Sequence, residues 1–336
     1  MRDPVGARLG VLATILAFAV AALGSYVRVS DAGLSCPDWP FCYGQLTTPD
    51  TPHEIDVANE AYPHRPVETH KGRKEMLHRY LASTLGLVIL VLAVRAFVRR
   101  ERVALPSLLL AVVILQGLLG MWTVTLLVHP AVVTAHLIGG LTTFALSLTF
   151  ALERLGWLEG PRAPVELRVA ATFALVVVGV QICLGGWTST HYAALACTAF
   201  PGCHPGNAWP AMDFSSAFVV MREVGVSYES GVLGAEARMA VHMVHRLGAL
   251  LVTVAVLVAV VVAIRSGGLL KKVAWYVLGA LGLQLSLGIS AVLLLLPKSL
   301  AVAHNAGAAL LVGSVTTLVL VSFRDRGTRS DTTGRA

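Results

Sequence analysis

The sequence predicts an all-α integral membrane protein, with eight transmembrane helices arranged as two tandem pseudo-symmetric four-helix bundles. Three observations predict this class: an apolar composition, eight long apolar stretches, and an internal repeat of about half the chain. Of the 336 residues, 56% are hydrophobic and only 13% are charged, and the mean hydropathy is +0.73. Soluble domains carry about 25% charged residues, so the composition favours a chain embedded in lipid.

Eight stretches are long enough to cross a bilayer, which takes about 20 apolar residues. They cover residues 9–28, 75–97, 105–128, 130–152, 168–189, 240–264, 272–296 and 299–323. The first stretch has a short basic start and small residues near Ala21, which also occur in cleaved signal peptides. Its counterpart in the second half of the chain argues against cleavage.

The charged residues indicate how these helices cross the membrane. The net charge is +7, and basic residues cluster beside the apolar stretches, at Arg95, Arg99, Arg100, Arg102, Lys271, Lys272, Arg324, Arg326 and Arg329. Such clusters mark cytoplasmic loops, so we expect both termini in the cytoplasm and the polar segments 29–74 and 190–239 outside. A cluster at Lys71, Arg73 and Lys74 opposes this mildly, but long loops cross largely regardless of charge. This distribution does not predict a nucleic-acid partner.

The two halves of the chain repeat each other with offsets of 161 to 168 residues. The matched positions are Cys36 with Cys197, Cys42 with Cys203, His78-Arg79 with His245-Arg246, Gln116 with Gln284, Gly120 with Gly288, and His136 with His304. We therefore expect an N-terminal half (1–153) and a C-terminal half (154–323) in the same orientation, related by an axis along the membrane normal. A polar tail, residues 324–336, is expected to be disordered and cytoplasmic.

Four histidines lie inside predicted spans: His78, His136, His245 and His304. A histidine in a span is costly unless it faces the bundle interior and finds a partner or ligand. All four lie four to seven residues from the outer end of the predicted helix, about 5–10 Å below the outer boundary. Two imidazoles that face each other at one depth can ligate a haem iron from both sides. Buried hydrogen-bonded histidines and zinc, which usually takes four ligands, are the alternatives.

The halves differ beside the first histidine of each pair. Glu75 lies three residues before His78, so both project from nearly the same helix face, whereas His242 precedes His245. A carboxylate beside a haem pocket can position water, accept a proton or stabilise a developing cation. The alternative is that Glu75 is a helix N-terminal charge that satisfies the dipole in the first turn.

Two other kinds of residue flank the histidines. Arg79 and Arg246 are candidates to pair with haem propionates, and the alternative is snorkelling to lipid headgroups. Small residues near the histidines would allow close helix packing or leave a slot for a flat macrocycle. They are Gly86, Gly120, Gly139, Gly140, Gly248, Gly288 and Gly307.

Four of the five cysteines lie in the outer segments, as Cys36-x5-Cys42 and Cys197-x5-Cys203. Thiols oxidise outside the cytoplasm, so each pair is expected to form a disulfide that closes a small loop. The alternative is a redox-active pair, which needs accessible, strained or low-pKa cysteines. The fifth cysteine, Cys183, lies inside a span and is interpreted as a packing residue.

This doubled pattern of histidines and cysteines resembles the haem A synthase family, membrane enzymes that convert haem O to haem A. The resemblance covers essentially the whole chain. It is carried by the outer cysteine pairs together with Glu75-x-x-His78-Arg79, His136, His245-Arg246 and His304. Cys36 and Cys42 match the outer pair that is functionally important in the family.

The resemblance implies an oxidoreductase that oxidises the C8 methyl group of haem O to a formyl group in two steps, for biogenesis of aa3-type terminal oxidases. It implies a haem b cofactor held by His245 and His304, which acts in electron transfer. It also implies haem O as substrate at His78 and His136, with Glu75 near the reacting group. Haem O synthase and a membrane electron carrier are candidate partners, and the cell membrane is the expected location.

Three other functions stay open at this point. A di-haem b-type electron-transfer cytochrome would hold two protohaems and form no haem A. A thiol-oxidising membrane protein would use the outer cysteines and bind little haem. A transporter fits less well, because the spans lack the acidic pairs and broken helices that mark transport sites.

Overall fold

The computed structural model describes residues 3–324, which form ten helices. Eight of them are long and apolar enough to span a membrane: α1 (Pro4–Val29), α3 (Thr69–Val98), α4 (Ala104–Thr125), α5 (Pro130–Arg154), α6 (Val165–Thr190), α8 (Ala235–Ser266), α9 (Gly268–Leu293) and α10 (Lys298–Ser322). Two short helices, α2 (Pro52–Ala61) and α7 (Phe214–Ala217), lie in the outer segments. The predicted all-α membrane class with eight spans is confirmed. The predicted tail, apart from Arg324, lies outside the described residues.

Proline marks the start of several helices. Pro4 and Pro130 occupy the first turn of α1 and α5, and Pro164 and Pro297 stand immediately before α6 and α10. Proline lacks a backbone N–H and has a fixed φ, so it fits the first turn, where the N–H groups have no partner within the helix. These prolines therefore fix where the chain re-enters the bundle.

The spans of each half pack in the same order. In the first half α1 and α4 each pack against α3 and α5, and in the second half α6 and α9 each pack against α8 and α10. The halves meet where α10 packs against α1 and α5, and where α5 packs against α6. Helix α10 packs against α1, α5, α6 and α9 and is the most buried of the spans. The axis that relates the halves stays a prediction.

Helices α3 and α8 begin earlier than the hydropathy predicted. They start at Thr69 and Ala235, six and five residues before the predicted spans. Hydropathy detects only the apolar part of a helix, and these helices continue through polar residues into the outer segments. The prediction of four to seven residues between helix start and histidine is therefore wrong for His78 and His245, which are the tenth and eleventh residues of their helices.

The two outer segments are joined to each other by polar contacts. Arg28, at the end of α1, donates to the Tyr192 hydroxyl at 2.9 Å and to the Ser189 carbonyl at 2.8 Å. Arg65 forms an ion pair with Glu229 at 3.1 Å. These contacts connect the ends of α1 and α6, so segments 29–74 and 190–239 form one surface at this end of the bundle.

Candidate functional site

The four predicted histidines lie in two pairs, one in each half. His78 on α3 lies near His136 on α5, and His245 on α8 lies near His304 on α10. Each of the four residues is partly exposed, whereas Nδ1 of His78, His136 and His304 is buried. Two imidazoles from different helices of one bundle could together hold a haem iron.

A glycine on a neighbouring helix packs against each imidazole. In the first half, a Cβ added at Gly24 would lie 2.9 Å from Cε1 of His78, and one at Gly120 would lie 3.5 Å from Cε1 of His136. In the second half, a Cβ at Gly185 would lie 3.3 Å from Cε1 of His245, and one at Gly288 would lie 2.9 Å from Cε1 of His304. A methyl group at the first or last of these positions would force the ring to move. Gly24 and Gly185 had not been identified from the sequence, although they occupy equivalent positions in the repeat. These four glycines let the rings sit between helices, which also fits a flat macrocycle.

Both histidines of the second half have a glutamine beside the ring. Gln181 Nε2 lies 3.0 Å from His245 Nδ1 and donates to the His245 carbonyl at 2.8 Å. Gln284 Nε2 lies 3.3 Å from His304 Nε2. Gln284 marked the repeat in the sequence, but Gln181 gave no signal there because its first-half counterpart is Val20.

Glu75 holds the first disulfide loop onto α3. Its side chain is buried, and Oε2 accepts a hydrogen bond from the backbone N–H of Cys36 at 3.0 Å. Oε1 is paired with Arg79. Arg79 in turn donates to the carbonyls of Asp38 at 3.0 Å and Phe41 at 2.6 Å. The acid, the arginine and the loop therefore form one partly buried polar network beside His78.

His242 takes the place of Glu75 in the second half. The backbone N–H of Cys197 donates to His242 Nδ1 at 3.2 Å, and Nε2 lies 3.2 Å from Nε of Arg246. Arg246 donates to the carbonyls of Cys197 at 3.0 Å and of Ala199 and Gly202 at 2.8 Å. The second loop is thus anchored in the same way, with an imidazole instead of a carboxylate.

These networks change the interpretation of the polar residues beside the histidines. Glu75 is the seventh residue of α3, whose first turn contains no acidic residue, so the helix-dipole alternative is wrong. Arg79 and Arg246 have backbone carbonyls as partners, an arrangement that neither alternative for them had included. Their pairing with haem propionates stays a prediction.

Both predicted disulfides are present. Cys36 is bonded to Cys42 and Cys197 to Cys203, and all four cysteines are fully buried. Because a redox-active pair needs access, their burial favours the loop-closing role. Cys183 is a free thiol on α6.

Two further residues were given no role by the sequence. Asp38 accepts hydrogen bonds from the backbone N–H groups of Tyr43 and Gly44, each at 2.7 Å, and so shapes the chain around the first disulfide. His191, just after α6, is 1% exposed and packs on Trp187 with ring centroids 4.4 Å apart. Within residues 3–324, no group of three or more His, Cys, Asp or Glu residues is arranged to hold a metal ion.

Comparisons with known proteins place this chain in a family. Residues 7–316 match COX15-CtaA, described as a cytochrome oxidase assembly protein. The chain is 40% identical to the haem A synthase of Shewanella oneidensis over 319 residues, which cover 93% of this chain and 94% of that protein. It is 31% identical over 342 residues to the haem A synthase of Caulobacter sp. strain K31, with 94% of each chain covered. The chain therefore belongs to the haem A synthase family of cytochrome oxidase assembly proteins.

Proposed function

We propose that this protein is a haem A synthase, an oxidoreductase that converts the C8 methyl group of haem O to a formyl group in two oxidation steps. The observation that carries the proposal is the duplicated histidine pair with unlike neighbours, Glu75 in one half and His242 in the other. Oxidation of an unactivated methyl group is cofactor chemistry, and the protein contributes binding, orientation and electrostatics.

The second half is the proposed haem b site, in which His245 and His304 would hold the iron. When bound, haem b supplies one-electron transfer. Gln181 and Gln284 contact the two imidazoles and would hold the rings in a fixed orientation. A site with fixed ligands and no adjacent carboxylate suits a resident electron-transfer group.

The first half is the proposed site for the substrate, haem O, with His78 and His136 as ligands. Glu75 is a buried acid beside this pair, and its carboxylate is held by Cys36 N–H and Arg79 next to His78. A fixed carboxylate can accept a proton from the reacting group or stabilise positive charge that develops there. Arg79 and Arg246 are proposed to bind propionates with donor groups that the loop carbonyls leave free.

The proposed topology places both termini in the cytoplasm and both disulfide loops on the outer face of the cell membrane. The histidine-bearing ends of α3, α5, α8 and α10 then lie near that face. The first half (1–153) and the second half (154–323) act as the substrate and haem b units. Haem O is hydrophobic and remains in the bilayer, so haem O synthase and a membrane electron carrier are the proposed partners.

Haem analysis tests this function directly. The full-length protein is expressed in cells that make haem O, purified in detergent, and its haems are extracted and identified by chromatography and mass. We expect haem b together with haem A or its hydroxylated precursor. Two protohaems, without any haem O derivative, would instead support the di-haem b-type cytochrome, which the near-equivalence of the two histidine pairs also allows.

A further inference from the structure

Three of the four histidines share a local arrangement that the fourth lacks. On the neighbouring helix a glycine packs against the ring, and a glutamine stands four residues before that glycine. On the histidine's own helix a second glycine stands three residues after it. The three sets are Gln116, Gly120, His136 and Gly139; Gln181, Gly185, His245 and Gly248; and Gln284, Gly288, His304 and Gly307. We call each set a glutamine–glycine unit.

The second glycine of each unit makes room for the glutamine. A Cβ added at that glycine would overlap the glutamine side chain in all three units. The amide can then lie beside the imidazole, as Gln181 does at 3.0 Å from His245 Nδ1. The glutamine and the glycine are therefore needed together, and neither residue alone reproduces the arrangement.

His78 keeps the glycine behind its ring but has neither of the other two parts. Val20 stands at the glutamine position on α1, and Leu81 stands at the second glycine position on α3. Gly24 still packs against the ring. Nδ1 of His78 is buried without a hydrogen-bond partner, as is Nδ1 of His136 and of His304. What distinguishes His78 is that the side chains of Val20 and Leu81 carry no polar atom that could supply one.

The presence or absence of a glutamine beside the ring affects how strongly the imidazole binds a metal. A histidine that ligates iron through one ring nitrogen carries its proton on the other, and a hydrogen bond to that proton fixes the ring and raises ligand basicity. Oε1 of Gln181 and Oε1 of Gln284 are buried without partners. Acceptors for such a proton are thus already present beside His245 and His304.

We propose that Gln116, Gln181 and Gln284 are positioning residues for haem ligation, and that Val20 and Leu81 make His78 the weakly held ligand. The inference rests on the proposed function, in which the first-half haem is a substrate that must leave after oxidation. His136 keeps its unit, so the first half combines one positioned ligand with one that dissociates easily. The resident haem of the second half has two positioned ligands.

Rebuilding the missing unit tests the inference at His78. In the double variant Val20→Gln/Leu81→Gly, release of the first-half haem to excess apomyoglobin should slow about tenfold or more. The single variants are matched controls: Val20→Gln lacks space for the amide, and Leu81→Gly lacks the amide. Both should release haem within about twofold of the wild-type rate. An unchanged rate in a double variant that still purifies as a folded, haem-bound protein overturns the inference.

Disrupting a glutamine–glycine unit in the second half tests the same inference in the opposite direction. Gln181→Val should speed release of the second-half haem about tenfold to a hundredfold and raise its midpoint potential, because the ligand becomes less basic. Ser286→Ala, on the exposed side of α9, is the control and should change neither value. Faster release with an unchanged potential would make Gln181 a packing residue only and would overturn the inference.

Failure of the proposed function can be distinguished from failure of this inference by measuring haem A formation in the wild-type protein alongside the variants. If the wild type forms no haem A, the proposed function fails, whatever the release rates are. If it forms haem A normally while the rebuilt unit leaves release unchanged, only the assignment of Val20, Leu81 and the glutamines fails.

Discussion

The two disulfide loops are held by equivalent networks that differ in one anchor, a carboxylate in the first half and an imidazole in the second. Glu75 accepts from both Cys36 N–H and Arg79, one on each oxygen. A neutral imidazole has a single acceptor nitrogen, so His242 can accept from Cys197 or from Arg246 but not from both. Arg246 compensates with a hydrogen bond to the Cys197 carbonyl. Anchoring a loop therefore does not require an acid, and Glu75 adds a negative charge that the loop alone does not need.

The largest expected effect separates the histidine pairs. His245→Ala or His304→Ala should abolish the stably bound low-spin haem b signal, because loss of one axial ligand destroys bis-imidazole coordination. His78→Ala or His136→Ala should keep that signal and lose haem A formation. Absorption and EPR spectra of the purified variants, together with haem extraction, measure both effects. The opposite pattern, with the persistent haem lost in the first-half variants, would reverse the roles of the halves.

Exchange of the anchors tests what the acid contributes. Glu75→His gives the first loop the anchor that already works in the second half, so the loop and bound haem should survive. Haem A formation should fall about a hundredfold or more, in the range lost with a general acid or base. Haem O or a hydroxylated intermediate should accumulate in the extracted haem.

Two further variants separate the effect of the charge at Glu75 from the effect of its shape and position. Glu75→Gln keeps the shape of the side chain without its charge and should show the same loss of haem A. His242→Glu is the reciprocal control and should leave haem A formation close to the wild-type level. Normal haem A yield in Glu75→Gln would remove the carboxylate from the mechanism and leave Glu75 as a loop anchor only.

Loss of a disulfide should have a smaller, local effect. Replacing Cys36 and Cys42 by serine frees a short loop and should cost about 2–4 kcal/mol of local stability in the loop-entropy picture. Replacing Cys197 and Cys203 should cost a similar amount, since the two loops have the same length. Hydrogen exchange over residues 34–46 and 195–207 measures both. Free thiols in wild-type protein prepared without reductant would contradict the disulfide assignment.

The sequence was sufficient for the parts of the molecule that repeat. Apolar length gave the eight spans, and the offset between halves brought out the histidines and the cysteines. The repeat works as a signal because a duplicated residue in a membrane span is unlikely to recur at one offset by chance. The repeat did not reveal Gln181, because its counterpart is Val20 and a mismatch between the halves cannot be told from ordinary sequence variation.

Other features depend on tertiary contacts that no local pattern reveals. The polar starts of α3 and α8 have no hydropathy signal, yet they are helical and lead directly to Glu75 and His242, which hold the disulfide loops. The carbonyl partners of Arg79 and Arg246 come from segments 41 and 47 residues away in sequence. An arginine beside a histidine is compatible with many partners, and the folded loop determines which one it takes.

The smallest expected effect concerns the chain just beyond α1 and α6, where Ser30 and His191 occupy equivalent positions. Burial lowers the pKa of His191 from 6.5 to about 4, and the nearby Arg222 and Arg28 act in the same direction. The unfolded chain therefore holds more protons than the folded chain between these two pH values. The stability that neutral, buried His191 contributes is complete above about pH 6.5 and is lost as the pH falls toward 4.

His191→Ser places the first-half residue in the second half and removes this titration. Lowering the pH from 7.5 to 5.5 should cost the wild type about 1 kcal/mol more than the variant, since one pKa unit corresponds to about 1.4 kcal/mol. The melting temperature of the detergent-purified protein should consequently fall further in the wild type than in the variant over this range. Ser30→Ala is the matched control, and its pH dependence should equal that of the wild type because Ser30 does not titrate. Parallel pH profiles for the wild type and His191→Ser would show that His191 is already neutral in the unfolded chain or charged in the folded one, and so would remove this difference between the halves.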